Sequence, residues 1–285
     1  MTSIDHGIDH GFTGSIPDTY TRCMGPIFFA PFADILAGRL AGMTGGDVLE
    51  SACGTGIATR ALRAALPGAV AITATDLNVS MLDHARTLPG GDGITWRQAD
   101  AQALPFPDAA FDAVVCSFGV MFFPDKVAAF REARRVLRRG GQFLFTVWDR
   151  LEASELMFLA HTAVGSLFPR DPPGFFRRTP CGYHDIGTIR ADLAAAGFVG
   201  AGVETLERPC RAATARDAAI GMVRGTPLCG EVALRDPAGL DRAVEAVAVE
   251  IASRFGPGPV EARMRAHVVT VRRQGMEATP PPPPA

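Results

Sequence analysis

The chain has 285 residues, 47% hydrophobic and 20% charged, with a formal net charge of −2. That balance is ordinary for a globular protein and excludes wholesale disorder. With no block of like charge, neither nucleic acid nor an anionic membrane is expected as its main partner.

Lys126 is the sole lysine among 28 basic residues, which reads as codon bias in a GC-rich, bacterial-looking genome. The six cysteines form no CxxC pair and no compact cluster with histidine, so reduced, buried thiols are expected and no metal site. The opening MTSIDHGIDH lacks the basic and apolar regions of a signal peptide. The longest apolar run, residues 113–123, is broken by Ser117 and Gly119 and is too short to span a bilayer. A soluble, cytoplasmic protein is expected.

Residues 1–15 read as a mobile tail. Its repeat, Asp5-His6-Gly7 and Asp9-His10-Gly11, can bind a metal or simply fray. Strand and helix signals then alternate. Residues 47–51 form a short apolar strand. Residues 55–66 form a helix with Ile57, Ala58, Ala61, Leu62, Ala65 and Leu66 on one face, stopped by Pro67-Gly68. Residues 69–75 are a β-branched second strand, and Asn78 caps a helix to about residue 88. Residues 94–98 and 111–117 are strands three and four, the fourth apolar nearly throughout, as a strand covered on both faces should be. A helix over 126–137 ends at Arg138, Arg139 and Gly140-Gly141, and residues 142–148 are strand five.

The second half is less regular. Residues 150–195 look helical around a Pro-rich break at 169–180, and 198–207 are strand-like. Residues 214–255 carry two or three helices, and 267–272 form a last strand. The expected fold is α/β: a doubly wound, mostly parallel seven-stranded Rossmann-like sheet with a helical cap inserted in the C-terminal half. The expected division is a tail over 1–15, a cofactor-binding core with N-terminal helices over 16–150, sheet completion plus a cap over the substrate site at 151–275, and a Pro-rich tail over 276–285.

The chemistry concentrates at the strand ends. Glu50-Ser-Ala-Cys-Gly54-Thr-Gly56 turns a strand at once into a helix, with small residues that let a ligand approach the backbone. The GxGxxG dinucleotide pattern fails here: starting at Gly54, its third position is Thr59. Tight glycines preceded by an acid suit a ligand carrying a carboxylate and an ammonium. Asp76 closes the second strand 20 residues after Gly56, where a carboxylate accepts from ribose hydroxyls; alone, it also reads as a solvated turn aspartate. Asp100-Ala101 can meet an adenine edge, and Leu77 and Met81 can sandwich its ring or be plain core.

These residues resemble class I S-adenosylmethionine (SAM) dependent methyltransferases, the broad group that includes the ubiquinone/menaquinone-biosynthesis type. The resemblance runs from about Tyr20 to Trp148 through ESACGTG, TATDLN, ADAQALPF, FDAVVCSFGVMFFPD and EARRVLRRGGQFLF. Two positions depart: Ala52, where glycine is commoner, and Arg139, where proline often precedes the glycine pair. The resemblance implies SAM as cofactor and S-adenosylhomocysteine as product. It places Glu50, Ala52 and Gly54 at the methionine end, Gly56 among the cofactor-binding residues, Asp76 at the ribose, and Leu77, Met81, Asp100 and Ala101 at the adenine. Ser117 and Phe118 lie under the sulfonium, and Tyr20 over the methionine group.

Transfer needs a nucleophile aligned behind the methyl and water excluded. His161, His184 and His267 are the candidate general bases. Phe122 and Trp148, after strand ends, are the leading candidates for the substrate wall, followed by Phe123, Phe158, Phe175 and Phe176. The expected activity is methyl transfer to a small hydrophobic or aromatic acceptor by a monomer or homodimer with no nucleic-acid or membrane partner. The alternatives are a SAM-using cyclase-like enzyme and a SAM-binding regulator or scaffold.

Overall fold

A computed structural model describes Gly14 and residues 16–274. The Asp-His-Gly repeat and the proline run lie outside the described residues.

The described chain opens on a continuous helical stretch. A turn of α-helix, Ile16–Thr19, passes into a π-helical stretch, Tyr20–Phe29, and then into α1, Ala30–Leu40. Pro26 lies inside the π segment, where it cannot donate a ladder hydrogen bond. The Ala30 N–H reaches back to the Gly25 carbonyl. Phe28, Phe32, Leu36 and Leu40 are buried. By length and composition the whole helix, Ile16–Leu40, would suffice to cross a membrane, but 61% of its apolar window is packed inside the fold. It therefore reads as a core helix.

The strands are β1 (Gly46–Ser51), β2 (Val70–Asp76), β3 (Ile94–Gln98), β4 (Phe111–Ser117), β5 (Leu137–Trp148), β6 (Gly202–Ala212) and β7 (Val260–Arg272). They make one seven-stranded sheet in the order β3-β2-β1-β4-β5-β7-β6. The first five pair in parallel, and β7 runs antiparallel to both β5 and β6. Central β4 is apolar and buried over Ala113–Cys116, with the partly buried Asp112 and Ser117 near its ends, because helices cover both faces. Crossovers α2 (Ile57–Ala65), α3 (Val79–Thr87) and α4 (Lys126–Val136) link the parallel strands. Beyond β5 come α5 (Glu155–Leu167), α6 (Ile186–Ala195), and, between β6 and β7, α7 (Ala215–Arg224), α8 (Leu228–Arg235) and α9 (Leu240–Phe255). Side chains start several of these helices: Asn78 accepts from the Met81 N–H, Asp125 from Ala128, and Thr214 from Asp217.

Three boundaries depart from the sequence expectation. α4 stops at Val136, and Leu137 already belongs to β5. The glycine pair bulges a strand instead of ending a helix: the β4–β5 register jumps from Phe111↔Leu137 to Ala113↔Gln142. Arg138 consequently bridges the Asp47 and Asp112 carboxylates, at 2.9 and 2.5 Å. Strand six begins at Gly202, because Gly197 and Gly200 turn the chain at positive φ while Phe198 packs against Phe143. β7 begins at Val260, carried by an alternation in which Val260, Ala262, Met264 and Ala266 point inward.

Candidate functional site

At the C-terminal ends of β1, β2 and β4 lies a cavity of about 310 Å³. The chain reaches it through the β1–α2 turn, where Ala52, Gly54 and Gly56 all take positive φ (53°, 55° and 76°). Open space lies where a Gly54 side chain would stand, so its backbone is bare toward the cavity. Ala52 holds a conformation that favours glycine, which accounts for glycine being the commoner residue there. Its methyl is accommodated by Gly119, where an added Cβ would meet it at 2.5 Å. Gly56 departs from expectation. It does not line the cavity; it starts α2, and a side chain there would strike Trp96 at 2.5 Å.

Glu50, next to last in β1, is fully buried and lines the cavity. Neither of its oxygens makes a hydrogen bond, and the nearby Thr55 and Thr59 hydroxyls are also buried without partners. Burial pushes the Glu50 carboxyl up to about 8, opposed by Thr59 and the Arg60 charge and reinforced by Asp76. Asp76 accepts from the Gly54 N–H at 2.7 Å through Oδ2 and from the Asn78 N–H at 2.8 Å through Oδ1. It thus splints the β1 turn to the end of β2. Burial raises its pKa, and the amides of Asn78, Gly54 and Leu77 pull it back.

Leu77, Met81, Asp100 and Ala101 line the same cavity. Leu77 is 59% exposed, a large apolar side chain left open beside a polar turn. Asp100 accepts from the Gln102 N–H at 2.8 Å, which fixes the loop after β3. Ser117 and Phe118 form the floor at the end of β4. Phe118 takes φ 53°, its N–H donates to Thr146 Oγ1 at 3.0 Å, and its ring stacks on Trp148 at 4.0 Å. Tyr20 forms part of the wall from the π-helical stretch, stacked on Phe29 at 4.9 Å. Burial and the Asp76 charge both hold the Tyr20 hydroxyl far above its usual range, so it stays protonated.

Phe122 lines the cavity, with Phe123 and Pro124 beside it. Trp148 does not: it is 2% exposed and packs among Phe28, Phe32 and Phe118 beneath the floor. Phe158, Phe175 and Phe176 are also outside the lining. None of the three histidines lines the cavity either. His161 sits on α5, its pKa lowered by burial and by Arg177. His184 Nδ1 contacts the Cys181 carbonyl at 2.8 Å. His267 is buried on β7, with Nδ1 on Thr205 at 2.9 Å and Nε2 3.6 Å from Asp149, and burial lowers its pKa. Every lining residue falls between Tyr20 and Pro124, so the C-terminal helices do not roof the cavity. α7 instead backs the N-terminal helix, with Gly221 pressed against Cys23 and Met24. The sequence reading missed Phe29 and Cys53, which also line the cavity.

Comparison with known proteins agrees with this architecture. Residues 49–145 match the family described as "Methyltransferase domain". Over 120 residues the chain is 42% identical to a ubiquinone/menaquinone biosynthesis C-methyltransferase, UbiE, of Caulobacter sp. strain K31, covering 39% of this chain and 47% of that protein. The chain spans about half the length of the curated relatives it matches. Among solved structures, phosphoethanolamine N-methyltransferase 2 of Haemonchus contortus, in complex with S-adenosylhomocysteine, superposes with a TM-score of 0.59. Identity there is 16%, over 96% of this chain and 61% of that one. The YcgJ protein of Bacillus subtilis gives a TM-score of 0.55 at 20% identity, over 86% of this chain and all of that one. Those two likenesses establish the fold.

Proposed function

We propose that the chain, whose residues 49–145 match a methyltransferase domain, binds SAM in the β1–β2–β4 cavity and methylates a small hydrophobic or aromatic acceptor. The observation that carries this reading is the pair of carboxylates at the cavity. Glu50 is buried there with two unpartnered oxygens, and Asp76 stands at the neighbouring strand end.

The residues present fit the cofactor. An orphaned buried carboxylate is the complement of an ammonium group, and the bare Gly54 backbone leaves room beside it. Asp76 retains lone pairs beyond the backbone amides it accepts from, enough for ribose hydroxyls. Leu77 and Met81 offer apolar faces for an adenine, with Asp100 and Ala101 at its edge. When bound, SAM supplies a methyl group already activated by its positive sulfonium.

The chain's own task is to orient and to exclude water. Phe118 is fixed by the Thr146 hydroxyl and the Trp148 ring, so the floor beneath the reacting centre is rigid. Tyr20 and Phe29 form an adjoining wall as a stacked pair, with the Phe29 ring edge-on to Phe118 at 5.5 Å. Phe122, Phe123 and Pro124 extend an apolar wall beyond the nucleotide residues. No Lys, Arg or His occurs among the lining residues, so a neutral acceptor that is nucleophilic without a strong base suits the wall best.

Native mass spectrometry of the purified protein, SAM calorimetry and a screen of neutral phenols, thiols and enols for S-adenosylhomocysteine formation test the proposal. Micromolar SAM affinity with turnover supports it. Binding without turnover across the screen points to a SAM-using enzyme of another kind or to a regulator. No binding of either nucleoside overturns the assignment.

A further inference from the structure

Glu50 is the buried ionisable group whose needs the fold itself leaves unmet. Its two oxygens and the Thr55 and Thr59 hydroxyls are buried without hydrogen-bond partners, and Arg60, whose charge acts on it, gives Nη2 to the Thr55 carbonyl at 2.7 Å and leaves Nη1 buried and unpartnered without closing an ion pair. The groups facing Glu50 pull in both directions, Arg60 favouring its ionised form and Asp76 opposing it. α2 brings Thr59 and Arg60, β2 brings Asp76, the β1 turn brings Cys53, and β4 brings Cys116. Burial keeps both thiols protonated. An ionised carboxylate here would be desolvated, unpaired and close to a second carboxylate.

We propose that Glu50 carries a proton in the cofactor-free protein and releases it to solvent when the cationic amino-acid arm of SAM arrives. Cofactor binding is then an exchange of one proton for one ammonium. This inference rests on the SAM reading above. The balance is simple: the carboxyl O–H breaks, its proton leaves with solvent buffer, and the carboxylate pairs with the ammonium. No other bond changes.

Two titrations shape the consequence. Glu50 in the free protein ionises at about 8, and a free α-amino group loses its proton at about 7.7–8.0. Below that range the ligand is charged and Glu50 is not, so binding releases a proton. Above it Glu50 is charged and the ligand is not, so binding takes one up. SAM affinity should therefore rise up to tenfold per pH unit from pH 6, peak near pH 8 and fall beyond it.

The test is calorimetry of SAM binding in buffers of different ionisation heat, such as phosphate and Tris at pH 7, with 5′-methylthioadenosine as the control that keeps the nucleoside and lacks the arm. The expected result is release of about one proton with SAM and almost none with methylthioadenosine. In Glu50→Gln, SAM should bind at least tenfold more weakly and release no proton, with methylthioadenosine binding unchanged as proof of a folded site. Proton-neutral SAM binding by the parent protein, with methylthioadenosine still bound, overturns the proposal. So does undiminished release in Glu50→Gln. If neither nucleoside binds the parent protein, the cofactor-site reading itself fails.

Discussion

The methyl group of Ala52 and the missing methyl of Gly119 are two halves of one packing arrangement. An added Cβ at Gly119 would lie 2.5 Å from Ala52 Cβ and 2.8 Å from Cys116 Sγ. Gly119→Ala should therefore cost about 1–3 kcal/mol. Combining it with Ala52→Gly should restore part of that loss and leave a measurable coupling in a double-mutant cycle by urea unfolding. Asp76→Asn replaces one acceptor oxygen with a donor facing an amide, either Gly54 or Asn78. SAM affinity should fall roughly 10–100-fold by calorimetry, since a broken charged hydrogen bond is worth about 1.5–3 kcal/mol. Glu50 has a stability signature of its own. Its carboxyl is protonated up to about 8 in the folded chain against an ordinary value of 4.5, so the unfolded chain loses the proton first. The stability it contributes is full below 4.5 and declines through the window up to 8, by at most about 1.4 kcal/mol per pH unit. Cofactor-free Glu50→Gln should thus melt higher than the parent at pH 8–9 and level with it at pH 4.5. At this scale the sequence was informative where a role depends on chain neighbours. The glycine turn, Asp76 and Asp100 all sit where strand ends place them. The three histidines lie away from the cavity, His161 on α5, His184 in a loop and His267 on β7, because residue type alone says nothing of where the fold carries it.

Among the elements, the parallel strands were legible because each is an apolar run bounded by turn residues, and residues 94–98 and 111–117 end where expected. The Leu137 boundary was hidden because a glycine pair signals a helix stop and a strand bulge alike. Phe29 escaped notice because the π-helical stretch abandons the 3.6-residue period on which a helix face is read. That stretch brings Tyr20 and Phe29 to the same wall nine residues apart. Trp148 was placed by its strand end, and only the packed aromatic cluster reveals that its ring points below the cavity floor. The turn Phe175–Arg178 depends on one buried acid. Glu231 accepts from Arg178 at 2.5 Å and from the N–H groups of Gly174 and Phe175 at 2.8 and 3.2 Å. Glu231→Ala leaves those donors and a largely buried guanidinium unmatched, and should cost about 3 kcal/mol in thermal or urea unfolding.

Over the whole molecule, the cavity is assembled from five short segments within residues 20–124, held together by the sheet and the N-terminal helix. A ligand that touches all of them stabilises the folded state as a unit. S-adenosylhomocysteine at 100 times its dissociation constant should add about 2.7 kcal/mol, seen as a rise of about 5 °C in melting temperature. An unchanged melting temperature at that occupancy would count against a ligand bridging these segments. The β6–β7 ladder carries a different consequence. It runs from Gly202↔Thr270 to Ala212↔Val260, so the helical excursion spanning 213–259 leaves and returns at a single rung of one hairpin. Topologically the excursion is a loop on a closed stem. Topology lets its length change there with the strand order intact, while α7, with Gly221 pressed against Cys23 and Met24, still ties it to the helix that brings Tyr20 and Phe29 to the cavity.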